Sequence, residues 1–157
     1  MQSVNWAWGL SLIALTIAIH TMGVVMMAVA GLRIRARLET RNLGFGRTIL
    51  IVIGVVGTAG LLLAMLHGIE AAIWAAAYVW LGALSLPKDV ILYSVDSMTT
   101  RGASGLMLEQ HWQMMGALEA ANGMLLFGIS TAYIFAVMQV YWSMLSDPLM
   151  TRGQSIR

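Results

Sequence analysis

The chain alternates long apolar runs with short polar breaks. The first run extends from about Trp6 to Leu32, with no charge and with His20 inside it. The second starts near Thr48 and continues to about Leu84; His67 and Glu70 are its only strongly polar residues. The third goes from about Trp112 to Leu145, where Asp147-Pro148 is expected to end it. A helix of about 20 apolar residues crosses a bilayer core of about 30 Å, so each run is long enough to span. The second is too long for one perpendicular span, about 55 Å at 1.5 Å per residue. Either it tilts and projects, or it breaks near Gly82. Between the second and third runs, Val90 to about Thr99 reads as a helix of only about three turns, too short to span. Proline suits a first helical position and an acid suits a helix start, so Pro87 and Asp89 fit its beginning. Gly102, Ala103, Ser104 and Gly105 follow, a stretch poorly suited to helix.

Composition fixes the class. Of 157 residues, 59% are hydrophobic and 10% charged, against about 25% charged in soluble domains; mean hydropathy is +0.80. One domain of integral membrane protein is expected, and not an enzyme. Without cysteine, disulfides, thiolate chemistry and Cys-ligated zinc are excluded. The net charge of +2 gives no reason to expect nucleic acid, and membrane lipid is the expected surrounding. Residues 1–5 lack the basic side chains of a signal peptide, so the first run is expected to be retained.

The few charges set the orientation. Arg33, Arg35, Arg37, Arg41 and Arg47 supply five of the nine basic residues within one short loop. The positive-inside rule places that loop in the cytoplasm and the N-terminus outside. Arg152 and Arg157 then lie in the cytoplasm, and residues 87–111 lie outside or dip in and return. The expected architecture is an all-α membrane protein with three transmembrane helices and one re-entrant element. Its parts are an N-terminal helix with the arginine loop (1–47), a pore domain (48–146) and a short cytoplasmic tail (147–157). Non-helical backbone at membrane depth is tolerated only where it is buried in protein or lines a watery cavity. A short helix ahead of a Gly-rich turn is the form of a pore loop, and four copies are needed to ring an ion.

Several residues here resemble those of potassium channels. Leu92-Tyr-Ser-Val-Asp-Ser-Met-Thr-Thr100 looks like their pore helix, and Arg101-Gly-Ala-Ser-Gly105 occupies the place of the filter signature V-G-Y-G-D. His67-x-x-Glu70-x-x-x-Trp74-Ala-x-x-Tyr78 is similar to the outer helix of small bacterial channel-like proteins. Trp112 to Gly123 with Phe127-Gly-Ile-Ser-Thr131 is similar to their inner helix. The resemblance implies a homotetramer in the bacterial inner membrane passing monovalent cations such as potassium, with no other cofactor. It assigns Thr99, Thr100, Arg101, Gly102, Ala103, Ser104 and Gly105 to a filter-like loop, supported by Asp96, Tyr93 and Trp112. Ala103, Ser104 and Gly105 stand where the family has Tyr, Gly and Asp, so weakened potassium selectivity is expected. Arg101 either turns back to Asp96 or points to the axis. The alternative reading is a non-conducting subunit that assembles with other membrane proteins.

The remaining polar residues of the spans, His67, Glu70, Glu119 and Asn122, are expected to hydrogen-bond between helices, His67 or Glu70 with Glu119 or Asn122. Counting from the ends of the apolar runs puts His20 about 18 Å from the cytoplasmic side and His67 about 28 Å. That mismatch argues against a metal or haem shared by the two. The thirteen methionines read as adaptable packing. Gly54, Gly57 and Gly60 read as a close-packing face. Gly123 and Gly128 fit either close packing or a gating hinge.

Overall fold

The structure is a computed structural model describing residues 2–40, 44–84, 89–102 and 105–154, with the backbone alone for 2, 39 and 143–154. It is helical, with no strand among the described residues. Helix α1 is Gln2–Glu39, α2 Phe45–Leu81, α3 Val90–Met98 and α4 Gln113–Gln154, with a turn of 3-10 helix at Gln110–Trp112. Three helices are long and apolar enough to cross a membrane, over Ser3–Leu38, Phe45–Leu81 and Gln110–Trp142, as in a multi-pass membrane protein. Their outward residues are large and apolar, among them Met26, Leu50, Leu61, Trp80 and Phe127. A helix that is apolar all round suits lipid and not water.

Two ends differ from expectation. Helix α1 does not stop with its apolar run but carries Arg33, Arg35 and Arg37 on to Glu39. Arginine is a good helix former and its charge is favourable near a C-terminus. Helix α4 continues through Pro148 to Gln154. Proline there removes one amide from the ladder, a single missing hydrogen bond rather than a stop. Helix α2, in contrast, is one unbroken rod that ends where a break was expected. Gly82 has φ +63, its N–H bonds to the Val79 carbonyl at 3.2 Å, and the Ala83 N–H bonds to that of Tyr78 at 2.9 Å. This pair of bonds around a left-handed glycine is the Schellman cap.

The chain forms two compact units. The first comprises Met1–Met22 and Ala64–Ile129, the second Gly23–Leu63 and Ser130–Arg157. In the first, Trp74, Tyr78, Tyr93, Val90, Leu12 and Met115 make the core. Trp8 and Trp80 meet edge to face at 5.1 Å. Gly9 leaves the space that Leu118 fills, and Gly123 leaves the space for the backbone of Met98: a Cβ there would stand 2.7 Å from the Met98 Cα. Gly123 is therefore a close-packing site, while nothing lies within 4 Å of a Cβ at Gly128.

In the second unit Ala59, Leu63 and Tyr133 pack with Val24, Met27 and Val137. The Tyr141 hydroxyl donates to the Gly31 carbonyl at 2.9 Å. The glycine face of α2 is not closely packed within the chain. A Cβ at Gly54, Gly57 or Gly60 would meet nothing within 4 Å, and Gly54 lines an open apolar groove of about 330 Å³ with Gly31, Thr58 and Tyr133.

Candidate functional site

The first unit gathers nearly all the buried polarity. Among the described residues, nine of the eleven buried polar side chains belong to it, Thr48 and Ser130 being the others. Three clusters account for most of them, and all three join residues of different helices.

The first cluster is His20, His67 and Glu70. Glu70 and His20 are fully buried; His20 Nδ1 stands 2.9 Å from Glu70 Oε1, and His67 Nδ1 stands 3.6 Å from Glu70 Oε2. The two imidazoles are tilted against each other with centroids 5.1 Å apart. The expected depth mismatch between the histidines is thus wrong. It came from measuring to the ends of apolar runs instead of the ends of helices. His20 lies nineteen residues before the end of α1 and His67 twenty-two after the start of α2. That difference is about 4.5 Å, less than one turn. Rings in direct contact leave no slab between them for a haem.

The second cluster centres on Glu119 of α4. The Tyr78 hydroxyl donates to Oε2 at 2.8 Å. Ser94 Oγ lies 2.7 Å from the Ala71 carbonyl oxygen and in short contact with Glu119 Oε1. Ser97 Oγ donates to the Gly116 carbonyl at 3.0 Å. Together these bonds tie α3 to α2 and α4. In the third cluster Asn122 Nδ2 donates to Thr16 Oγ1 at 2.8 Å, and the Thr16 hydroxyl reaches the Leu12 carbonyl at 2.9 Å.

The four residues expected to bond with one another across helices meet other partners instead. Glu70 faces His20 and His67, while Glu119 faces Tyr78 and Ser94, and Asn122 faces Thr16. Sequence reasoning missed Thr16, Tyr78 and Ser94 as members. One signal was present: Thr16 and His20 are four apart, so they share a helical face, as Glu119 and Asn122 do.

The filter-like loop follows α3. Thr99, Thr100, Arg101, Gly102 and Gly105 are exposed in the chain; Ala103 and Ser104 lie outside the described residues. Helix α3 ends in the same motif as α2: the Thr100 N–H bonds to the Ser97 carbonyl at 3.0 Å and the Arg101 N–H to the Asp96 carbonyl at 3.1 Å. Here, however, the left-handed residue is Thr100, at φ 56. For a β-branched residue this is an outlier, costing about 1–2 kcal/mol. Gly102 (φ 81) and Gly105 (φ 77) adopt positive φ at no such cost. Arg101 turns back to Asp96, with Nη1 3.3 Å from Oδ1. Asp96 is buried and the arginine side chain 70% exposed, so the pair contributes about 0–1 kcal/mol.

The other two residues assigned to filter support stand elsewhere. Tyr93 is in the core, its ring edge-on to Tyr78 at 5.6 Å and its hydroxyl in the space left by Gly116. Trp112 stacks beside His111 at 5.1 Å and packs partly on the same core.

Comparison of the chain with family models, with curated proteins and with solved structures finds no match.

Proposed function

We propose that the protein is a pore-loop membrane protein that assembles as a homotetramer and passes monovalent cations with weak preference for potassium over sodium. The observation that carries this reading is α3, a nine-residue helix tied by Ser94 and Ser97 to its neighbours and followed by a loop of positive-φ residues at 100, 102 and 105. Positive φ at Thr100 and Gly102, on either side of Arg101, turns successive peptide groups to one side, where they can bind an ion. The loop is exposed in a single chain. Exposed backbone polar groups facing lipid would each cost several kcal/mol, which assembly around a wet axis avoids. The Arg101–Asp96 pair draws the guanidinium toward the protein and lessens its repulsion of cations. Poor selectivity is supported by sequence: Ala103 and Ser104 bring neither an aromatic brace nor a glycine to the loop.

A second reading, a non-conducting subunit that uses the loop as structure, is favoured by the end of α3. The carbonyls of Val95, Asp96 and Ser97 already accept bonds from Thr99, Arg101 and Thr100. Few carbonyls remain at that helix end to attract a cation.

The test is oligomer mass in detergent, then flux in liposomes for the wild type, Asp96→Asn and Arg101→Val. The pore reading expects a tetramer with potassium and sodium fluxes within about tenfold, a gap of about 1.4 kcal/mol. It also expects Arg101→Val to conduct at least as well as wild type. A tetramer without flux supports the structural reading. A monomer or dimer overturns the pore.

A further inference from the structure

We infer that His20, His67 and Glu70 form a binding site for a divalent transition-metal ion of the zinc type inside the membrane-spanning part of the protein. One ligand atom from each residue lies within 4.8 Å of the others. Ligands on one tetrahedral ion at about 2.0–2.1 Å stand about 3.3 Å apart. His20 Nδ1 stands 2.9 Å from Glu70 Oε1 and His67 Nδ1 3.6 Å from Oε2, so each imidazole already faces an oxygen of the same carboxylate at about that spacing. Side-chain rotation is needed to bring the three ligand atoms from within 4.8 Å onto one ion. Two imidazoles and one carboxylate are a donor set that suits zinc, copper, nickel or iron rather than magnesium or calcium.

Two further observations point to an occupant. His67 Nδ1 and Glu70 Oε2 are both buried and have no hydrogen-bond partner, although they face each other. A hydrogen bond between His20 and Glu70 explains only half of the cluster, whereas an ion satisfies all three donors together. The charges also balance better. An anionic carboxylate with two neutral imidazoles offsets much of a 2+ charge, where the carboxylate alone would be an expensive group away from water. The ligands come from α1 and α2, so the ion would staple the two helices. With three protein ligands, a fourth position stays open to water or an exogenous donor.

The site does not depend on the pore reading, because binding is measured without flux. The full chain, purified without a histidine tag and stripped with EDTA, is titrated in detergent with Co²⁺, whose visible bands report tetrahedral coordination. We expect one Co²⁺ per chain, displaced by Zn²⁺, and a rise in melting temperature on binding. Of the single variants, His67→Ala is the most conservative, since it leaves the His20–Glu70 contact in place. It should weaken Co²⁺ binding by at least about 100-fold, above the range for merely supporting residues, with unchanged far-UV circular dichroism. His111→Ala, outside the cluster but near Glu109 at 3.7 Å, should bind as wild type does. Absence of a saturable tetrahedral band in the wild type overturns the site, as does a band that survives both His67→Ala and His20→Ala.

Discussion

The two units are made from the same three long helices and are held together differently. Among the described residues the first has nine buried polar side chains, while the second has Thr48 and Ser130 and relies on Ala59, Leu63 and Tyr133. In lipid, apolar side chains gain little by leaving the solvent, so association rests on close packing and interhelical hydrogen bonds. Polar bonds fix partner and register, because a misplaced carboxylate or amide is left unsatisfied. The first unit is specified in that way. The second tolerates an open apolar groove and relies more on shape, with the Tyr141 hydroxyl to the Gly31 carbonyl as a polar tie between its helices. Chemistry, if the protein performs any, is expected where polarity has been retained at a cost.

Substitutions can break this contrast, beginning with the most damaging. Gly123→Val forces branched carbon into the Met98 backbone, and we expect about 3 kcal/mol of destabilisation, the upper end of the range for overpacking, read as a lowered detergent melting transition. Gly128→Ala, with open space around it, should change the transition by less than about 0.5 kcal/mol. Equal effects at the two positions would dissolve the distinction between a packed and an unpacked face of α4. Glu119→Leu strands the Tyr78 hydroxyl, at about 1–3 kcal/mol, while Ser94 keeps the Ala71 carbonyl as acceptor.

Glu119→Gln should cost much less. A serine hydroxyl has one proton to give, and Ser94 faces two oxygens. An amide can donate to Ser94 and still accept from Tyr78. A Gln variant as unstable as the Leu variant would show that a full carboxylate charge is needed. In the second unit the analogous change is smaller: Tyr141→Phe removes one hydrogen bond to a helix carbonyl, about 0.5–1.5 kcal/mol. Thr100→Gly should move the melting transition upward by about 1 kcal/mol by relieving the left-handed threonine. A destabilised Thr100→Gly would mean that the threonine side chain holds the loop through assembly contacts.

The spans, the end of α2 at Gly82 and the short helix over Val90–Met98 were legible because each leaves a local trace: a hydropathy run, a glycine, a length. The pairing of His20 with Glu70 left none. Hydropathy marks where side chains stop being apolar, while a helix ends where its backbone is capped. For α1 those points differ by the length of the arginine segment, enough to move His20 to the wrong depth. The partners of Glu119 were hidden for another reason. Tyr78 and Ser94 are ordinary in their own segments, and only the packing of three helices makes them neighbours. Arg101 returning to Asp96 was one of two expected directions. The five-residue spacing permits it, but the choice is made by the turn at Thr100, whose left-handed backbone no residue pattern announced.

The cluster of His20, His67 and Glu70 also has a place in time. A chain is made from its N-terminus and its early segments fold first. Helices α1 and α2 alone contain all three of these residues, so that group can assemble as soon as the second helix leaves the ribosome. Thr16 waits for Asn122, and Tyr78 and Ser94 wait for Glu119, until α4 arrives some forty residues later. During biosynthesis the pair of α1 and α2 can therefore bring its histidines to Glu70 before the residues that meet Thr16 and Tyr78 have been made.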